Sequence, residues 1–88
     1  MKIYTLTIMT VDCLDEPKIQ SLVYKNRDTV QKRMLIEYNE ELKNIKELIK
    51  NDDLLDDYYS KYRDDNYARI STSETNFICK IEEHNIID

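Results

Sequence analysis

Alternating apolar side chains predict a β-strand at the start of the chain. Residues 2–13 carry Tyr4, Leu6 and Ile8 on one face of such a strand, and Ile3, Met9 and Val11 on the other. Their β-branched and aromatic content is typical of strands. A turn over residues 14–18 contains Pro17, and residues 19–25 predict a second strand. The first 25 residues therefore predict a β-hairpin.

From residue 27 the apolar period lengthens to that of a helix, which predicts a long amphipathic helix over residues 27–50. Asn26 directly precedes it and suits the N-cap position, because its side-chain oxygen can accept a hydrogen bond from a free amide of the first turn. The apolar stripe consists of Val30, Met34, Tyr38, Leu42, Ile45 and Ile49, widened by Leu35 and Leu48. The charged positions Glu40, Lys43, Glu47 and Lys50 predict a solvated outer face.

The remaining residues predict a short helix and two further strands. Leu54, Leu55, Tyr58, Tyr59 and Tyr62 keep helical spacing, which predicts a second helix over residues 53–63, ended by residues 64–66. Residues 67–72 predict a third strand, and residues 76–83 a fourth with Phe77, Cys79 and Ile81 on one face. The order ββααββ predicts a single α+β domain over residues 1–88. In this two-layer sandwich, a four-stranded antiparallel sheet has both helices packed on one face.

The chain contains no glycine, although average usage would give about six in a chain of this length. This absence excludes Gly-rich phosphate loops, the dinucleotide-binding fingerprint and the glycine-flanked nucleophile elbow. The predicted turns use Asp, Asn, Ser and Pro instead. Hairpin loops of three to five residues are therefore expected, rather than tight two-residue turns.

The cellular compartment, and with it the state of the two cysteines, can be inferred from the apolar segments of the chain. No stretch approaches the roughly 18 apolar residues of a membrane span, and the N-terminus lacks the apolar run of a signal peptide. A reducing, cytoplasmic compartment is therefore expected, with Cys13 and Cys79 as buried thiols rather than a disulfide.

Catalytic and metal chemistry find little support in the sequence. His84 is the only histidine, and a strand that carries both Cys79 and His84 places them on opposite faces, so neither an enzyme nor a cofactor is expected. The Asp pairs at residues 52–57 lack the glycine of an EF-hand loop. No metal ligand is assigned, and a divalent-metal-binding protein or enzyme remains an alternative. The net charge of −5 argues against direct contact with nucleic acid, which needs cations to neutralise phosphates.

Most of the net negative charge lies in residues 51–66, which hold six Asp against Lys61 and Arg63. Tyrosine is enriched at binding hot spots, and carboxylates steer a basic partner toward its site. Asp residues four apart on a helix would also place negative charges at intervals that imitate a row of phosphates. The predicted partner-binding residues are Asp52, Asp53, Asp56, Asp57, Tyr58, Tyr59, Tyr62, Asp64 and Asp65. A purely structural interpretation, with the tyrosines packed on the sheet and the aspartates solvating a helix corner, stays open.

Codon bias adds one indication of origin. Ile, Lys, Asn and Tyr, which A/T-rich codons encode, make up 34 of the 88 residues. In size, acidity and inferred coding the chain resembles small phage or mobile-element proteins, including anti-CRISPR inhibitors, although the resemblance includes no shared motif.

Two hypotheses of function follow from these observations. The leading one is a small, non-enzymatic protein-binding module, an inhibitor that presents an acidic Asp/Tyr face to a basic, nucleic-acid-binding host protein. It would act in the cytoplasm of a bacterial host cell if phage-encoded, with neither nucleic acid nor membrane as a direct partner. The alternative is a homo-oligomeric structural or regulatory module, such as a homodimer, joined through an edge strand, for which residues 19–25 are the candidate.

Overall fold

The computed structural model describes residues 1–12, 16–48, 59–72 and 75–87. In chain order its elements are β1 (Lys2–Asp12), β2 (Lys18–Tyr24), α1 (Arg27–Leu48), β3 (Tyr59–Arg63), β4 (Tyr67–Thr72) and β5 (Thr75–Asn85). The strands form one antiparallel sheet in the order β2-β1-β5-β4-β3. The predicted α+β class is therefore confirmed, with five strands rather than four.

The first and last strands of the chain pair with each other near the middle of the sheet. Their register runs from Lys2 opposite Asn85 to Asp12 opposite Thr75, over the full length of both strands. Beyond Asn85 the pairing continues, because the Ile86 amide donates to the Met1 carbonyl at 2.8 Å. Strand β5 itself runs to Asn85, beyond the predicted bounds of residues 76–83.

Helix α1 packs on the face of the sheet that carries Leu6 and Ile8, and we call the opposite side the far face. The register stacks apolar side chains in rows beneath the helix, with Leu6 opposite Ile81 and Ile8 opposite Cys79. The buried apolar side chains are Leu6, Ile8, Val30, Met34, Tyr38, Ile45, Ala68, Ile70, Phe77, Cys79 and Ile81. One face of each central strand and one stripe of α1 therefore supply the core, as the two periodicities predict.

The apolar stripe of α1 is narrower than predicted. Val30, Met34, Tyr38 and Ile45 are buried and Leu42 packs against them. Leu35 is 37% exposed, so its assignment to the core is wrong. The side chains of Leu48 and Ile49 lie outside the described residues. Because α1 is the one described helix on this face, only a narrow stripe of its surface contacts the sheet. Leu35 lies at the margin of that stripe.

Asn26 caps α1 as predicted. Its side-chain oxygen accepts hydrogen bonds from the Asp28 amide at 2.8 Å and from the Thr29 amide at 3.3 Å. Its carbonyl accepts the first helical bond, from the Val30 amide at 3.2 Å. These bonds fix the start of the helix at Arg27, with two linker residues between it and the end of β2.

The predicted second helix is wrong over residues 59–63, which form β3 and pair with β4. Residues 53–58 of that prediction lie outside the described residues. The spacing of the tyrosines, from which the helix is predicted, is also compatible with a β-hairpin. The cross-strand pairs, from Tyr59 opposite Thr72 to Arg63 opposite Ala68, define a hairpin over Asp64–Asn66.

The connections between strands work without glycine. No described residue has a positive φ, so none of the described turns uses the left-handed conformation that glycine favours. The β3–β4 connection has three residues, as expected, whereas β4 and β5 are separated by only residues 73 and 74. At that shorter connection the Thr75 amide donates to the Thr72 hydroxyl at 2.9 Å. The expected minimum of three residues is therefore wrong for this hairpin.

We expect Asn26→Ala to lower the free energy of unfolding by about 1 kcal/mol, because two amides of the first turn lose their acceptor. Urea unfolding followed by circular dichroism measures this loss. Asn44→Ala, at an exposed position within α1, is the control and should change stability by less than about 0.5 kcal/mol. Equal effects of the two substitutions would contradict the assignment of the cap.

Candidate functional site

The structure describes four of the nine residues predicted to bind a partner. Tyr59 and Tyr62 lie in β3, and Asp64 and Asp65 lie in the turn that follows. The others, Asp52, Asp53, Asp56, Asp57 and Tyr58, lie outside the described residues. We call Tyr62, Asp64 and Asp65 together the acidic edge.

The strand conformation of β3 separates the two tyrosines. Residues three apart in a strand point to opposite faces. Tyr59 is half-buried and packs against the core beneath α1, whereas Tyr62 lies on the far face with 51% of its surface exposed. The structural interpretation is therefore correct for Tyr59, while Tyr62 presents its ring to solvent.

The exposed ring of Tyr62 is held in place by two neighbours. Its hydroxyl donates to Asp64 Oδ2 at 3.0 Å. The Tyr67 ring lies with its centroid 6.1 Å away and a tilt of 51°, within the range of favourable aromatic pairs. Tyr62 is therefore exposed and ordered by its own surroundings before any partner arrives.

Asp64 organises the turn between β3 and β4. Its Oδ1 accepts from the Asn66 amide at 2.8 Å, and its own amide donates to the Tyr67 carbonyl at 2.8 Å. The bond from Asn66, followed by the bond from the Tyr62 hydroxyl, holds the pKa of Asp64 below its usual value. The same hydrogen bond to Asp64 raises the pKa of Tyr62. At neutral pH the pair is a carboxylate and a neutral phenol.

The negative charge of the acidic edge is not neutralised locally. The ion pairs of the described residues join Lys2 to Glu83, Arg33 to Glu37 and Lys80 to Glu82. Within this described part of the chain, neither Asp64 nor Asp65 forms an ion pair. The adjacent Arg63 places its guanidinium carbon 5.7 Å from the centre of the Tyr38 ring, on the α1 side of the strand. The charges of the two carboxylates are therefore not offset by an ion pair within the described ranges.

A surface cleft of about 280 Å³ separates the acidic edge from the first half of α1. It is lined by Gln31, Met34, Leu35, Arg63, Asp64 and Asp65. The Gln31 side-chain amide donates to the Asp65 carbonyl at 3.3 Å and ties the turn to the helix. An apolar wall beside carboxylates suits a Lys or Arg side chain, whose stem is apolar and whose head is cationic.

Cys79 and His84, the residues considered above for a catalytic pair, are not in contact. Cys79 is fully buried beneath α1, whereas His84 is exposed with Nε2 3.0 Å from the Thr5 hydroxyl. Burial, with a smaller contribution from Glu37 and Glu41, raises the pKa of the Cys79 thiol to about 12. The prediction of a buried thiol is confirmed for Cys79, and Cys13 lies outside the described residues.

In the described ranges, no three side chains of His, Cys, Asp or Glu lie close enough together to hold a metal ion. The same ranges contain no helix with the length and apolar character needed to span a bilayer.

Several residues of the site escaped the sequence analysis. Tyr67 orders Tyr62, Arg63 turns toward Tyr38, and Gln31 fixes the turn. The sequence signal for these residues is the stretch 62–67. In it, the turn-forming residues 64–66 lie between two tyrosines. That pattern is typical of a hairpin.

Comparison of the chain with protein-family models, with curated proteins and with solved structures finds no match.

We expect the Cys79 thiol to react very slowly in the folded protein, because a pKa of about 12 leaves little thiolate near pH 8. In a Cys13→Ser variant, an aromatic disulfide reagent should label Cys79 roughly a hundredfold or more slowly than in the unfolded chain. The absorbance of the released thiol measures the rate with and without denaturant. Rapid labelling under native conditions would contradict the burial of Cys79.

Proposed function

We propose that this chain is a small, non-enzymatic protein-binding module whose acidic edge binds a basic surface of a partner protein. The observation that carries the proposal is the exposed Tyr62 ring, hydrogen-bonded at 3.0 Å to an Asp64 carboxylate that has no ion pair among the described residues. Tyrosine is enriched at binding hot spots, and carboxylates without an ion pair steer a basic partner toward the site.

The order of the acidic edge favours binding. Tyr62 is restrained by Asp64 and by the Tyr67 ring, so little rotational freedom is lost when a partner covers it. A side chain that is already ordered in the free protein loses less conformational entropy on binding, and this raises the affinity. Tyr also supplies a large contact area with few rotatable bonds.

The charge of the edge selects the kind of partner. Asp64 and Asp65 are adjacent and exposed, and the whole chain carries a net charge of −5. Such a surface attracts basic proteins over a distance of about a Debye length and raises their association rate. The cleft beside Met34 and Leu35 offers a place for one cationic side chain of the partner.

The narrower proposal is an inhibitor, of the phage or mobile-element kind, that acts in the cytoplasm of a bacterial host cell. A basic surface that binds nucleic acid is the commonest strongly cationic surface in a cell, and carboxylates can occupy the cations that phosphates would otherwise engage. The acidic edge supports such competition, since it places carboxylates next to a ring that can pack against the same surface.

The proposal is tested by the double substitution Asp64→Asn and Asp65→Asn. The side-chain oxygen introduced at position 64 keeps the bond from the Asn66 amide, and the new NH2 group can donate to the Tyr62 hydroxyl, so the turn is kept while two charges are removed. We expect affinity for the basic partner to fall about fivefold or more at low salt, and the dependence of affinity on salt to flatten. The measurement is capture of partners from nuclease-treated bacterial lysate, followed by titration of the captured protein by calorimetry.

The matched control replaces Glu40 and Glu47 with Gln. These side chains are also exposed, lie on the outer face of α1 and change the net charge by the same amount. A basic protein that binds the wild type and the control but is lost from the Asn variant supports the proposal. The same proteins on all three baits, or an acidic partner, would overturn it.

The contribution of the ring is tested separately by Tyr62→Thr, which keeps strand propensity and removes the aromatic surface. We expect about a tenfold or greater loss of affinity, as for a hot-spot aromatic residue, with an unchanged salt dependence. Tyr62→Phe should lose much less, because only the hydroxyl is removed. Equal affinity for the Thr variant and the wild type would show that Tyr62 is not an anchor.

A further inference from the structure

Strand β2 is an edge of the sheet, as the sequence predicted, since among the described strands only β1 pairs with it. Natural edge strands are protected by charges, prolines or bulges that prevent another strand from pairing. The interior of β2, residues 19–24, contains only Ile, Gln, Ser, Leu, Val and Tyr. This segment has neither a charge nor a proline, so its edge is open to strand addition.

Two of its apolar side chains are strongly exposed. Ile19 is 67% and Val23 is 65% accessible, and both lie on the far face, away from the core. They stand two residues before and two residues after Ser21, which is also exposed. The pattern is symmetric about Ser21.

We propose that β2 pairs with β2 of a second copy of this chain, antiparallel about a two-fold axis at Ser21. In this register Ile19 lies opposite Val23 of the second copy, and Val23 lies opposite its Ile19. The two sheets, each of five strands, become one continuous sheet of ten. Both α1 helices remain on the same side, because a two-fold axis perpendicular to the sheet keeps the faces aligned.

Self-complementarity is the reason to choose a second copy over another protein. Each of the two strongly exposed apolar residues, Ile19 and Val23, meets the other across the axis, and such cross-strand pairs contribute roughly 0.2–1 kcal/mol each. Moving the axis to Leu22 would set Ile19 opposite Lys25. Moving it to Gln20 would set Val23 opposite Pro17, which cannot donate to a ladder.

Charges at the ends of β2 agree with the same register. Antiparallel pairing about Ser21 places Lys25 of one copy opposite Pro17 of the other, next to Glu16. Lys18 lies opposite Tyr24, so no two lysines face each other. The other edge differs: β3 has Lys61 at its centre, and symmetric pairing there would set two ammonium groups against each other.

The proposed dimer leaves the two acidic edges free. Strand β3 lies at the end of the sheet opposite β2, and strands are spaced by about 4.8 Å, so the two β3 strands would lie roughly 43 Å apart. A partner with two basic sites at that spacing would be bound bivalently, with an avidity above that of one edge. Dimerisation itself does not depend on the proposed function.

Sedimentation velocity of the purified protein, from low to high micromolar concentration, tests the proposal. We expect the mass to rise from 10.6 kDa toward twice that value. Val23→Lys should raise the dissociation constant of the dimer about tenfold, because it removes the apolar pair with Ile19 on both sides of the axis. Ser60→Lys on β3, an equally exposed strand position, is the control and should leave the dimer intact.

The register is tested by Ser21→Cys in a Cys13→Ser background. Directly opposed residues of an antiparallel pair have Cα atoms about 4.5–5.5 Å apart, which permits a disulfide across the axis. Mild oxidation should therefore yield a covalent dimer, whereas Ser60→Cys should not. A monomer at every concentration would overturn the proposal. So would a dimer that survives Val23→Lys, or one that Ser60→Lys also disrupts, since either result assigns the contact to another surface.

Discussion

The pairing of β1 with β5 is the interaction on which the rest of this structure depends. It joins the two ends of the chain over the full length of both strands, from Lys2 opposite Asn85 to Asp12 opposite Thr75. Bringing together segments so distant in sequence costs loop-closure entropy, which the contacts of the paired strands must offset. Once formed, the pair supplies Leu6, Ile8, Cys79 and Ile81 as the floor on which α1 packs.

This central pair also determines which parts of the chain face outward. With β1 and β5 inside the sheet, its two edges are β2, which pairs with β1, and β3, which pairs with β4. The chemistry of those edges differs, because residues 19–24 of β2 carry no charge whereas β3 has a lysine at its centre and leads into a turn with two aspartates. The surfaces that we propose for a second copy and for a basic partner therefore lie at opposite ends of one sheet.

Much of the fold could be predicted from the sequence because most elements bury one face. The alternation around Leu6 and the helical period from Val30 to Ile45 both mark residues that are buried in the structure. Asn26 was recognisable as a cap for a local reason, since its bonds reach only two and three residues ahead. Interactions within a short stretch of chain can be recognised without knowing the rest of the fold.

Strand β3 could not be predicted in this way. Its positions facing α1 after Tyr59 are Lys61 and Arg63, which extend past the margin of the core, so no alternation of apolar and polar residues marks the strand. The order of strands likewise depends on pairing between distant segments. Because Tyr62 and Tyr59 point to opposite faces only in a strand, the candidate site changed with this element. The sequence predicts one face for both tyrosines, whereas the structure packs Tyr59 against the core and exposes Tyr62.

Amide hydrogen exchange followed by nuclear magnetic resonance tests the central claim most directly. If the β1–β5 pair underlies the fold, amides in the middle of both strands should exchange only through global unfolding, more slowly than those of α1. Within β3, amides should alternate between protected and unprotected, since among the described strands only β4 pairs with it. Faster exchange in β1 and β5 than in α1, or uniform helical protection over residues 59–63, would contradict this account.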